Sequence, residues 1–142
     1  MKLLIVGCGR VGSAVAKGMA ADGHEVMVVD EDPEALGRLP EDWEGRFIQG
    51  HALDLDVLIE AGIETADAAV IATTGDNTNI VVAQVAQNRF GCPCVVARVL
   101  DPARAAFYAS LGVRTVCATS AAIETTTRAI CAGPGRAAQA AR

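Results

Sequence analysis

One Trp, one Tyr and three Phe are the only aromatic residues in 142 positions. Any core must therefore be aliphatic, built from Val, Ile, Leu and Ala, which suits a parallel sheet buried on both faces. Lysine is scarcer still, with Lys2 and Lys17 alone, and no basic cluster offsets the net charge of −5. That balance argues against a nucleic acid partner, whose phosphates require grouped Lys and Arg. Only the stretch beyond Glu124, with Arg128, Arg136 and Arg142, leans basic. No apolar run approaches the roughly 18 residues that cross a bilayer. The apolar opening Met1–Val6 stops at Gly7 without a signal-peptide cleavage site and reads as a strand. A cytoplasmic location is the expectation. The five cysteines follow no zinc spacing: Cys92-Pro93-Cys94 is C-P-C rather than C-x-x-C. They read as small buried hydrophobes in a reducing compartment, and no metal site is expected.

What the chain does have is regular alternation. Strand-like runs fall at Leu3–Val6, Glu25–Val29, Arg46–Gln49, Ala68–Ala72, Cys94–Val99 and Arg114–Cys117. Between them lie helical segments: one from the first glycine turn to Gly23, then Pro33–Leu39, Asp54–Ala61 and Asn77–Phe90 with Asp76 as its N-cap. Asp101-Pro102 opens another that ends at Gly112, and Ser120–Cys131 is the last. Strictly alternating β and α elements with short connections predict an α/β fold, a doubly wound six-stranded parallel sheet of Rossmann type. A single domain over residues 1–131 and a flexible C-terminal tail over 132–142 are expected. In such a sheet a ligand lies beyond the carboxyl ends of the strands, where the strand order reverses.

The chemistry-bearing residues gather at those ends. Gly7-Cys8-Gly9-Arg10-Val11-Gly12 is a G-x-G-x-x-G turn with a strand before it and a helix after it. Gly7 permits the tight turn, Gly9 lets a pyrophosphate approach the backbone, and Gly12 lets helix and strand pack closely. The helix's first amides then face the anion. Asp30 stands 18 positions after Gly12 and ends the second strand, where a carboxylate accepts ribose hydroxyls. The neighbouring Glu31 joins it as a candidate. Acids there repel a 2′-phosphate and no Arg follows closely, so NADP is not expected. Arg10 lies within the turn, placed to reach a pyrophosphate or a partner chain's phosphate. After the third and fourth strands come Gly50-His51-Ala52 and Thr73-Thr74-Gly75, with Asn79 following. Gly50 and Ala52 leave room for a flat ring, and Thr73, Thr74 and Asn79 offer donors and acceptors. His51 reads equally as a base contact or as an exposed turn residue.

With those residues placed, the sequence resembles the N-terminal nucleotide-binding domain of the regulators of potassium conductance, the Trk/Ktr type. The likeness runs from Met1 to about Ile130. It rests on Val6 to Gly12, Gly23-His24-Glu25-Val26 leading to Val29-Asp30, and Leu58-Ile59-Glu60-Ala61-Gly62-Ile63. Ala66-Asp67-Ala68-Ala69-Val70-Ile71-Ala72-Thr73, Ala97-Arg98-Val99 and Leu111-Gly112-Val113 complete it. The resemblance implies binding of NAD(H) or ATP/ADP, and two-fold dimers often built into rings. It implies ligand contacts at Arg10, Asp30, the His51-Ala52 turn, Thr73 and Arg98. Arg98 reads equally as a phosphate contact and as half of a structural ion pair. Two departures stand out: His51 replaces the family's Asp or Asn, and Thr119-Ser120 replaces a Pro-Glu pair that helps some members hold a cation. The second, ligand-sensing domain common in the family is absent from the 142 residues, which fits a stand-alone subunit or a fragment.

The function so implied is a nucleotide-binding regulatory subunit that gates a membrane potassium transporter or channel by changing conformation. It is not an enzyme, works as a homo-oligomer, and sits in the cytoplasm or against the inner membrane face through its partner. The alternatives are an NAD-dependent oxidoreductase and a nucleotide-binding interaction module. Hydride transfer wants an acid/base beside the nicotinamide and a substrate pocket, and neither lysine falls near the strand ends.

Overall fold

The computed structural model describes residues 1–133. Six parallel strands run β1 (Lys2–Val6), β2 (Glu25–Asp30), β3 (Arg46–Gln49), β4 (Ala68–Ile71), β5 (Cys94–Arg98) and β6 (Arg114–Val116), in the spatial order β3-β2-β1-β4-β5-β6. The α-helices are α1 (Arg10–Ala21), α2 (Leu55–Glu60), α3 (Asp76–Asn88), α4 (Pro102–Ser110) and α5 (Ala118–Cys131). This is the doubly wound order, and the reversal between β1 and β4 opens a crevice at their carboxyl ends.

Side-chain alternation along β1 builds two cores at once. Leu4 and Val6 point to one face and join Leu58 of α2, Ile80 and Ala83 of α3, and Ala105 of α4. Leu3 and Ile5 point to the other, with Ala16 of α1, Val26, Val28, Ala35 and Leu39. Ile5 pairs in register with Val28 of β2 and Val70 of β4, so the central strand is covered on all sides. Each fully buried aliphatic side chain of this kind contributes about 1.5–3 kcal/mol.

Three expectations shift. Residues Pro33–Arg38 form a 3-10 helix, not an α-helix, with Asp32 accepting from the Glu34 amide and Leu39 bonding back to Leu36. So short a segment with a glycine inside it gains little from α-type bonds. Helix α3 begins at Asp76 and is preceded by Gly75 as N-cap, so Asp76 is not the cap. Its carboxylate instead accepts the amides of Leu100 (2.8 Å) and Asp101 (3.1 Å), fastening the loop after β5 to α3. The last helix starts at Ala118, ahead of Ser120, because the Cys117 thiolate or thiol sulfur serves as cap to the Ser120 amide. The expected tail lies outside the described residues apart from Ala132 and Gly133. Among the described residues no helix is long and apolar enough to cross a membrane.

Candidate functional site

The glycine turn is dictated by its own chain at two of its three glycines. Gly7 has φ +98°, and a Cβ there would stand 2.7 Å from the Ala72 carbonyl and the Thr73 amide nitrogen. A Cβ on Gly12 would overlap the carbonyl oxygen of Gly7. Gly9 is different. Its φ is −78°, which any residue adopts, and nothing lies within 4 Å of where its Cβ would be. Protein packing gives no reason for a glycine at that position.

Gly9 also begins helix α1 with no side chain capping it and no acid in the first turn. The first intrahelical bond runs from Ser13 to the Gly9 carbonyl (2.9 Å), which leaves the preceding amides as free donors at the positive helix end. Helix α3 likewise starts on an uncapped glycine, Gly75. The other three α-helices are capped by their own Asp54, Asp101 and Cys117. The two bare helix starts adjoin the same crevice.

That crevice has a volume of about 320 Å³. Gly7, Gly9, Asp30, Glu31, His51, Ala52, Thr73, Thr74 and Gly75 line it, so residues far apart in sequence meet there. The Asp30 carboxylate joins two loops: Oδ2 accepts the Cys8 amide (2.6 Å) and Oδ1 the Asp32 amide (2.9 Å). Each oxygen retains a lone pair for a ligand hydroxyl. His51 Nδ1 accepts the Leu53 amide (3.2 Å) and Nε2 lies 3.5 Å from Glu31, so the pair links the loops after β3 and β2. Gly50 belongs to the same wall, and Val57 stands where its Cβ would be (2.6 Å).

Other expected residues do not line the crevice. Arg10 and Val11 are exposed on the outside of α1, and Gly12 is under the turn. Asn79 is fully buried and spends its whole amide: Oδ1 accepts the Thr73 amide (2.9 Å) and hydroxyl (2.6 Å), and Nδ2 donates to the carbonyls of Thr73 (3.1 Å) and Arg98 (2.8 Å). It holds the β4 loop against β5 from behind. Arg98 Nη2 donates to the same Thr73 carbonyl (2.6 Å), and its buried Nε has no partner. Among the described residues no carboxylate pairs with Arg98. Asp32, Arg38 and Thr78 line the crevice and were not singled out from sequence. Thr78 was legible as one turn into α3. Arg38 carried no signal.

Burial pushes the Cys8 thiol up, with the Asp30 carboxylate adding to the rise. After the edge strand β6, hydrogen bonding from Ser120 holds the Cys117 thiol below its ordinary range.

Comparison with known proteins gives the following. The sequence profile of the TrkA-N domain matches residues 3–119. A relative from Streptomyces coelicolor, the Trk system potassium uptake protein TrkA, is 47% identical over 116 residues, which is 82% of this chain and 52% of that protein. The chain thus spans about half the length of this curated relative, and less of others such as the Vibrio alginolyticus TrkA (22%). Among solved structures, the Shewanella denitrificans Kef C-terminal domain in its AMP-bound form superposes with TM-score 0.78 at 24% identity, covering 99% of this chain and 88% of that one. The GsuK channel bound to NAD and GsuK bound to ADP each give TM-score 0.75 at 21% identity over 89% of this chain, and 22% and 32% of theirs.

Proposed function

The chain belongs to the TrkA-N domain family, and on that premise we propose that it is a nucleotide-binding regulatory component of a potassium transport system, responding to NAD(H) or to ATP and ADP. The observation that carries the ligand half of this reading is Gly9. A glycine that its own protein does not need, at an uncapped helix start inside a crevice, fits a backbone kept bare for a phosphate. The amides from Gly9 to Gly12 would hold the phosphates, Asp30 the ribose, and the walls at Gly50–Ala52 and Thr73–Gly75 the base. Neither Arg10 nor Arg98 lines the crevice, so in this reading the phosphates are held first by backbone amides, and either cation would have to swing inward to reach them. The transport half rests on the Trk relative, and the AMP-, NAD- and ADP-bound structures support an adenosine ligand.

The mechanism is binding rather than turnover. A nucleotide that binds two arrangements of an assembly unequally shifts their populations. Self-association is part of the proposal, because helix α5 has no buried residue and carries Ile123 and Ile130 at 58% and 75% exposure. A second copy would cover that face, and the membrane partner would place the assembly at the inner membrane surface.

The test is thermal melting of the protein with NAD, NADH, ATP and ADP, alongside light scattering. Melting temperature should climb with concentration of at least one nucleotide, with a change in particle size and no consumption of ligand. Gly9→Ala should melt like the wild type without ligand and lose most of the nucleotide response. A Gly9→Ala protein that binds undiminished would remove the central support, and four silent nucleotides would end the reading.

A further inference from the structure

We propose that Arg38 is a ligand-facing residue of this crevice, its guanidinium covering the purine base instead of pairing with a phosphate. The inference rests on the adenine-nucleotide reading above and adds to it a residue that determines which part of the ligand is gripped.

Arg38 ends the 3-10 segment, and its side chain turns back to the glycine turn, where Nη1 donates to the Cys8 carbonyl (3.3 Å). That contact brings the guanidinium to the crevice wall beside Asp30, Glu31 and Asp32. None of these acids pairs with it: the two ion pairs among the described residues are His51–Glu31 and Arg128–Glu124. The guanidinium therefore keeps most of its donors and its flat face unused.

Charge decides what that face meets. Three carboxylates at this end of the crevice repel a phosphate on the ribose, whereas a neutral base pays no such penalty. Shape agrees. No Trp, Tyr or Phe lines the crevice, so a base finds no aromatic platform. The planar cation is the substitute, since guanidinium groups stack on aromatic faces where a compact ammonium does so less well. In the same lining, Gly50 is kept free of side-chain bulk by Val57 and Ala52 adds a single methyl, which leaves room suited to a flat ring.

Calorimetric titration of the full chain with ADP, NAD and NADP tests this, using wild type, Arg38→Lys and Arg38→Ala. Lysine keeps the charge and removes the plane. Both variants should weaken ADP and NAD by about tenfold, the upper-middle range for a cation over an aromatic face, and leave the ratio of NADP to NAD affinity unchanged. Because Arg38 is exposed with one long hydrogen bond, both should melt like the wild type when unliganded. Wild-type affinity for ADP in Arg38→Lys would overturn the stacking role, and a loss confined to NADP would make Arg38 a reader of the 2′-phosphate. If the wild type binds none of the three, the nucleotide reading itself fails. If it binds and both variants match it, only the role of Arg38 fails.

Discussion

The turn at residues 7–12 and helix α5 are both poor in side-chain packing, and for opposite reasons. At the turn the side chains are missing because backbone from elsewhere fills the space: the Gly7 carbonyl crowds Gly12, and Ala72 and Thr73 crowd Gly7. At α5 the side chains are present and face nothing, from Ala118 to Cys131. A helix of that length gains little stability without a buried face. A surface filled by its own chain thus contrasts with one that stays exposed among the described residues. Within the turn the same contrast recurs in miniature, since Gly9 alone is bare without internal cause.

The sharpest way to break this comparison is to add one methyl group under the turn. Gly12→Ala forces the helix start away from the Gly7 carbonyl, and neither partner is a flexible side-chain end. A loss of about 4 kcal/mol in urea-unfolding stability is expected, in the range of severe overpacking. A loss below about 1 kcal/mol would mean the close approach is not what selects glycine there.

A smaller effect is expected behind the crevice. Asn79→Leu removes the amide that satisfies the Thr73 amide, its carbonyl and the Arg98 carbonyl. Stranding buried backbone groups costs about 2–3 kcal/mol, read as a lower urea midpoint. The β4 loop would also loosen, visible as faster amide exchange at Thr73. Unchanged exchange there would show that the loop is held by Arg98 alone.

These residues show what the sequence can and cannot disclose. Strand β3 was readable to the residue, Arg46–Gln49, because Gly50 closes so short a run. The six-stranded, doubly wound parallel sheet followed from alternation and the short connections, whereas the order of its strands comes from the structure. Asn79 was picked for its donors and acceptors, but chemistry in a sequence does not say which way an amide points, and this one points inward. Asp76 looked like a cap and instead binds a loop more than twenty residues downstream. Arg38 was invisible because no spacing rule encodes a side chain folding back to the Cys8 carbonyl. The expectation that no Arg stands near the ribose end was read from adjacency, and a fold is not limited to adjacency.

The smallest effect concerns two thiols, one from each region. Cys8, fully buried in the turn, has its thiol raised from the ordinary 9.0 by burial, so the folded state holds that proton to higher pH than the unfolded chain. Its contribution to stability is complete below pH 9.0 and falls as pH rises past it. Cys117, at the start of α5, has its thiol lowered from 9.0 by hydrogen bonding from Ser120. Its contribution has the reverse sign, present above pH 9.0 and lost as pH drops through the folded value. Reactivity follows the thiolate, so iodoacetamide at pH 8 should label Cys117 in the native protein and leave Cys8 intact until urea unfolds it. Site-resolved mass spectrometry distinguishes the two. In wild type, stability should decline between pH 8 and pH 10 by more than it does in Cys8→Ala, because only the wild type releases the Cys8 proton on unfolding. Native-state labelling of Cys8 at the rate of Cys117 would mean that the turn opens as readily as α5 is exposed, and the contrast between a self-filled surface and an unpartnered one would collapse.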